Sequence, residues 1–150
     1  MVTLKRTNSE DPHFQELIIA LDKDLWLRYP EVQQDYEVLD KVKNIPTVVV
    51  AYVDALPVGC ACFRPFYNHS VEIKRMFVYA AMRGQGIAYS ILKELETWAI
   101  SQGFTRAVLE TGKRQPEAIA LYQKSGYTFM DKYPPYEQME NSVCLQKPLL

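Results

Sequence analysis

Long apolar runs are missing from this 150-residue sequence. Runs such as Val48–Tyr52 fall far short of the roughly 20 residues needed to cross a bilayer, so no membrane partner is expected. The opening residues, Met1-Val2-Thr3-Leu4-Lys5-Arg6, turn polar at once, and no signal-peptide core is expected there. Cysteine is scarce and odd in number: Cys60, Cys62 and Cys144. That count argues against a disulfide framework and fits a reducing, cytoplasmic setting. Cys60 and Cys62 lie two apart and would share a strand face as packed side chains. No second ligand pair accompanies them, so a metal site is not expected. An excess of either charge is also lacking, with 17 Lys and Arg against 18 Asp and Glu and a formal net charge of -1. This argues against a nucleic-acid partner, which would leave a basic footprint, although Lys74, Arg75, Lys113 and Arg114 leave room for a local basic patch. Histidine is limited to His13 and His69, which read as surface or turn residues. Neither partners a cysteine at a recognisable spacing, so a covalent cysteine route is not expected.

What the chain does have is a core. Apolar residues make up 48%, enough for a folded body, and the length suits a single domain over 1–150. Val2 to Arg6 alternates as a first strand. Asp11-Pro12 can open a helix, Asp as cap and Pro in the first turn. Phe14, Leu17, Ile18, Leu21 and Leu25 then give that helix one buried face, ending before Pro30. Asp35 to Lys43 reads equally as a short helix or a loop. Val48–Val53 is a strand by β-branched content, Asp54–Pro57 a turn, and Val58–Phe63 the returning strand, with an irregular end at Pro65. A turn at Tyr67–Ser70 leads to a strand over Val71–Val78.

The grammar then changes. Ala80–Gly86 is a loop, and Ile87, Ala88, Ile91, Leu92, Leu95, Trp98 and Ala99 mark a helix closed by Gly103. Ala107–Thr111 is a strand, Pro116 opens a helix that Gly126 closes, and Tyr127–Met130 and Val143–Leu145 are late strands around the loop Tyr133–Tyr136. A strand–helix–strand unit over 71–111 implies a right-handed crossover with parallel strands. The fold class expected is α/β (α+β), a mixed, mostly antiparallel central sheet with helices on both faces.

Gly84 and Gly86 stand between a strand end and a helix start. Glycine lets backbone amides approach a ligand, and a helix N-terminus offers unpaired N–H groups and partial positive charge. Together they suit an anion such as a pyrophosphate, and equally a plain tight turn. A dinucleotide fingerprint would need glycine where Tyr89 stands, and a P-loop would need Lys-Ser/Thr where Ile87-Ala88 stands.

Arg83-Gly84-Gln85-Gly86-Ile87-Ala88 resembles the Gln/Arg-x-x-Gly-x-Gly/Ala signature of the GNAT superfamily of N-acetyltransferases. The preceding strand, Glu72-Ile73-Lys74-Arg75-Met76-Phe77-Val78, resembles that family's strand before the signature. Ala118-Ile119-Ala120-Leu121-Tyr122-Gln123-Lys124-Ser125-Gly126-Tyr127 resembles its later helix segment. The resemblance spans about residues 45–130 and implies a GNAT-like sheet, acetyl-CoA as cofactor, and direct transfer to an amine in a ternary complex. It implies that backbone amides of Arg83, Gly84, Gln85, Gly86, Ile87 and Ala88 hold the pyrophosphate, and that Met76, Phe77 and Val78 pair with the pantetheine arm. Where family members often carry Asn near the start of the later helix, Gln115 stands here, a departure with a longer arm.

The reaction asks for a proton acceptor, because a typical alkyl ammonium with pKa about 10.4 costs roughly 4–5 kcal/mol to neutralise at pH 7. It also asks for an N–H donor to the carbonyl oxygen and a donor to the leaving thiolate. By resemblance Glu72 is the base, its alternative being a strand carboxylate paired with Lys74; Glu110 is the rival base. Tyr122 is the acid by resemblance, its alternative being a core tyrosine. For the acceptor, Trp26, Arg28, Tyr29 and Tyr36, then Tyr133–Tyr136, offer aromatic walls with a few cations, and Lys74 shares a strand face with Glu72. These favour a small-molecule amine over a peptide or protein one. A non-catalytic acyl-CoA-binding regulator and a dimeric module remain open, and a homodimer is compatible.

Overall fold

The computed structural model describes residues 1–28, 30 and 44–150. The expectations placed on Asp35–Lys43, Tyr29 and Tyr36 lie outside the described residues. The strands are β1 (Val2–Thr7), β2 (Val48–Val53), β3 (Leu56–Phe66), β4 (Ser70–Val78), β5 (Arg106–Gly112), β6 (Thr128–Met130) and β7 (Ser142–Pro148). The helices are α1 (Pro12–Arg28), α2 (Ile87–Ser101) and α3 (Pro116–Lys124). The strands form one mixed sheet in the order β1-β2-β3-β4-β5-β7-β6. Pairing is antiparallel for β1–β2, β2–β3, β5–β7 and β6–β7. Among the described pairings only β4 and β5 run parallel, Ser70↔Arg106 to Ile73↔Leu109, joined by the crossover through α2, as parallel neighbours require.

Contacts divide the described residues into two compact units, Met1–Phe63 with Lys74–Leu95, and Arg64–Ile73 with Glu96–Leu150. In the first, Phe14, Leu17 and Leu21 of α1 pack with Val48, Val50, Cys60, Cys62 and Phe77, each full burial contributing about 1.5–3 kcal/mol. Val48 to Ala51 are all buried, so both faces of β2 are covered. The two cysteines do share a face and are packed. Gly59 lets β4 lie close: a Cβ there would stand 3.0 Å from the Phe77 carbonyl oxygen and 3.0 Å from Val78 Cγ2.

Two-residue turns join β2 to β3 and β3 to β4. Asp54 and Ala55 (φ 51° and 68°), then Asn68 and His69 (φ 55° and 57°), adopt left-handed backbone, whose twist matches the flanking strands. Pro65 does not end β3, contrary to expectation. The β2–β3 pairing stops at Val48↔Cys62, so Pro65 lies past that ladder and its missing N–H costs nothing there. The last strand is longer than Val143–Leu145 because β5 pairs with it through Pro148.

The start of α1 forms as the sequence implies. Asp11 Oδ1 accepts the His13 N–H at 2.8 Å, and Oδ2 accepts from Lys5 Nζ at 3.1 Å and Thr7 Oγ1 at 3.0 Å. Burial pushes this carboxyl up, but the bonds from Lys5, His13 and Thr7 outweigh it and hold it below the usual carboxylate range. A lowered folded-state value stabilises the fold above the unfolded value, near pH 4, and that contribution is lost as pH falls through the folded value. Asp11→Ala therefore lowers stability by about 1–2 kcal/mol at pH 7. Urea titrations of both proteins should show this gap closing as the pH is taken well below 4.

Candidate active site

The candidate cofactor loop lies in the first unit. A single 3₁₀ turn over Ala80–Met82 follows β4 and consumes the Arg83 N–H, which donates to the Ala80 carbonyl at 3.3 Å. Arg83 therefore does not offer its amide to a ligand, contrary to expectation. Its side chain folds back instead: Nε donates to the Val78 carbonyl at 2.8 Å, and the guanidinium lies 5.8 Å from the Phe77 ring centroid. It braces the end of β4 against the loop.

Gly84 and Gly86 adopt φ of 81° and 79°, and an added Cβ at either would meet nothing within 4 Å. They serve the turn and leave its outer side open. The first helical bond of α2 is Ser90 N–H to the Gly86 carbonyl at 3.0 Å. Among the described residues, the backbone N–H groups from Gly84 to Tyr89 have no intramolecular acceptor. A run of unpaired donors at a helix start suits a pyrophosphate, and Gly84, Gln85, Gly86, Ile87 and Ala88 are the candidates to provide it.

Upstream, Arg75 interrupts β4 with φ 61°, a conformation costing a non-glycine residue about 1–2 kcal/mol. It is held from several sides. Its guanidinium pairs with Asp22 of α1. The Cys60 thiol donates to the Arg75 carbonyl at 3.6 Å and the Cys62 thiol to that of Lys74 at 3.5 Å. Burial pushes the Cys60 thiol well up, so it stays a donor. Met76, Phe77 and Val78 follow directly. Lys74 is only 7% exposed, so it is not the open cation suggested for an acceptor anion. Trp26 is 44% exposed rather than core, and Arg28 pairs with Asp24 at 3.4 Å.

The second unit carries the acid–base candidates. Glu72 is buried, and both its oxygens are engaged: Arg64 Nε donates to Oε1 and the Tyr133 hydroxyl to Oε2, each at 2.9 Å. Arg64 is thus a cation partner of this carboxylate. Arg64 and Glu72 flank the Tyr67–Ser70 turn; that was the available signal for their pairing, and sequence reasoning missed it. Tyr133 packs its ring on Phe66 and Tyr136. Burial and the Glu72 charge push its phenol well up, so it remains a donor. Tyr136 is 1% exposed, and so belongs to the core of this unit rather than to an open acceptor wall.

Glu110, near the end of β5, is half-buried and accepts from Ser142 Oγ at 2.7 Å. Tyr122, on α3, is 5% exposed, and among the described residues its hydroxyl has no hydrogen-bond partner. Burial and then the Glu110 charge push this phenol well above its usual value. Gln115 sits at the N-cap of α3 with no side-chain capping bond, leaving its amide available. Its carbonyl accepts from Ala118 and Ile119.

Residues 15–127 match the Acetyltransferase (GNAT) family. Over 150 residues the chain is 31% identical to a protein named IAA acetyltransferase from Azospirillum brasilense, covering 99% of this chain and 98% of that one. A crystal structure of an acyl-CoA N-acyltransferase-type protein from Klebsiella pneumoniae superposes with a TM-score of 0.82 at 28% identity, covering 100% of this chain and 99% of that one. The PaiA N-acetyltransferase of Thermoplasma acidophilum, solved with coenzyme A, superposes with a TM-score of 0.74 at 14% identity, covering 99% of each chain. The chain belongs to the GNAT acetyltransferase family. It is accordingly an acetyltransferase that takes its acetyl group from acetyl-CoA. Among the described residues no helix is long and apolar enough to cross a membrane, and no cluster of potential metal ligands forms.

Proposed function

We propose that this enzyme acetylates the primary amine of a small molecule by direct attack within a ternary complex, with Tyr122 and Glu110 handling the protons. The observation that carries the reading is Tyr122: it is only 5% exposed, its hydroxyl has no hydrogen-bond partner among the described residues, and burial and Glu110 hold the phenol in its protonated form. That hydroxyl is not among the fully buried polar atoms left without a partner, so it keeps an opening to the outside. As a donor waiting for a leaving sulfur it has a task.

Acetyl-CoA supplies an activated acyl thioester. Gly84–Ala88 hold its pyrophosphate through backbone N–H groups, and Met76–Val78 offer backbone to the pantetheine arm. Glu110 takes the proton that the attacking amine must shed. Tyr122 donates to the sulfur as the carbon–sulfur bond breaks, so the products are an amide and a neutral thiol. An ordinary phenol (about 10) is a weaker acid than an ordinary thiol (about 8.5). The phenol therefore acts first as a hydrogen-bond donor, and full transfer needs the sulfur to sit in an equally dry place.

Glu72 has a different task in this reading. With one oxygen on Arg64 and the other on Tyr133, it anchors the Tyr133–Tyr136 loop to β4 rather than receiving protons. The full-length relative named for IAA supports a small acceptor. The test is free-thiol release from acetyl-CoA with amino acids, polyamines, aminoglycosides and a lysine peptide. Turnover with a small amine is expected. Turnover with the peptide alone, or with none of them, would overturn the reading.

A further inference from the structure

The end of α3 is built around Tyr122 in a way the reaction itself does not use. Gly126, with φ 97°, reverses the chain after Ser125. The Tyr127 N–H then donates to the Tyr122 carbonyl at 2.9 Å, and the Gly126 N–H to the Gln123 carbonyl at 3.1 Å. This is the Schellman ending, in which the residue after the left-handed glycine meets the residue five before it. Here both are tyrosines, and their rings meet edge to face with centroids 5.8 Å apart.

Tyr127 is in turn anchored. Its hydroxyl donates to Glu96 Oε2 at 2.9 Å, and Lys147 Nζ occupies Oε1 at 2.9 Å. Glu96, on α2, is 4% exposed. A buried carboxylate is tolerated only when paired and hydrogen-bonded, and here it receives one ammonium and one phenol. The Lys147 stem passes beside Gly126, where an added Cβ would stand 3.3 Å from Cε, and its ammonium lies 5.7 Å from the Tyr127 ring centroid. Glu96 and Tyr127 would pack as well as apolar side chains; what the polar set adds is a fixed rotation for the Tyr127 ring.

We infer that Tyr127, seated by Glu96 and Lys147, is the positioning residue for Tyr122. It sets where the Tyr122 hydroxyl stands, and so how well it meets the leaving sulfur. The inference rests on Tyr122 being the thiolate's donor, and the test separates the two.

The test is a double-mutant cycle. Tyr127→Leu, Tyr127→Phe and Glu96→Gln are each made in the native enzyme and in Tyr122→Phe, with kcat for thiol release, KM for acetyl-CoA and Tm measured for all. Tyr122→Phe keeps the ring, so any purely structural effect of losing Tyr127 is the same in both backgrounds. Tyr127→Leu is expected to lower kcat by about tenfold when the Tyr122 hydroxyl is present and by less than about twofold when it is absent. The fall in Tm should be equal in the two backgrounds. If Tyr127→Leu does not fold, Tyr127→Phe and Glu96→Gln decide, with losses of about threefold that vanish in Tyr122→Phe. Equal kcat losses in both backgrounds, or no kcat loss at all, overturn the positioning role. If Tyr122→Phe alone leaves kcat intact, the donor assignment falls, and the positioning role with it.

Discussion

Tyr122→Phe lowers kcat for thiol release by about 100-fold and leaves the Kd for acetyl-CoA within about threefold, as expected when a group acts in the transition state rather than in binding. The ring is retained, so its contact with Tyr127 survives and Tm moves little. The native hydroxyl has no partner to lose, so the substitution leaves no buried group unsatisfied. Nearly all of its effect should therefore fall on the chemical step. The loss should shrink when the leaving group is a more acidic thiol, because a thiolate that is stable by itself has less need of a donor. Isothermal calorimetry with CoA and steady-state thiol release together check the split. A fall in CoA affinity matching the fall in kcat would show Tyr122 to be a binding residue instead.

Glu110→Gln lowers kcat by a comparable factor of about 100, whereas Glu72→Gln leaves kcat within about threefold and costs about 1–2 kcal/mol of stability. The contrast follows from where each carboxylate sits. Glu72 has both oxygens engaged in a buried site, and glutamine keeps an acceptor for only one of its two donors. Half of Arg64 is in water, which limits the cost of losing its counter-ion. Glu110 is half-buried, and its charge reaches the Tyr122 phenol. Removing that charge also relaxes the upward pressure on the phenol, so Glu110→Gln affects acceptor and donor together. Measuring kcat and urea midpoints for both variants decides the assignment. A large kcat loss in Glu72→Gln with an intact fold would return the base to β4.

Local chemistry made much of this legible. Asp11-Pro12, Pro116 and Gly126 mark helix ends whose donors and acceptors must be met nearby, and each acts where the sequence implies. The loop glycines announced open backbone, and the structure supplies the donors. What stayed hidden depends on partners brought from afar. Nothing near Glu72 in sequence says that a tyrosine 61 positions later takes its second oxygen. Tyr136 read as part of an aromatic wall for the acceptor, yet packing against Tyr133 buries it. Pro65 looked like a strand breaker because the extent of β2 cannot be read from β3 alone. The amide of Arg83 was spent on a turn whose tightness no residue type announces.

Gly59 has a consequence beyond its own strand. Its need is one of space, because the nearest atoms to an added methyl are the Phe77 carbonyl oxygen, a Val78 methyl and Ile91 Cδ1. Overfilling such a site costs about 1–3 kcal/mol, and what yields is whatever moves most easily. Here the neighbours are the strand proposed to guide the pantetheine arm and the first turns of the helix proposed to receive the pyrophosphate. A single methyl in the interior would thus retune the enzyme's grip on its acyl donor without touching it. Residue 59 works as a spacer, and the cofactor would register its thickness.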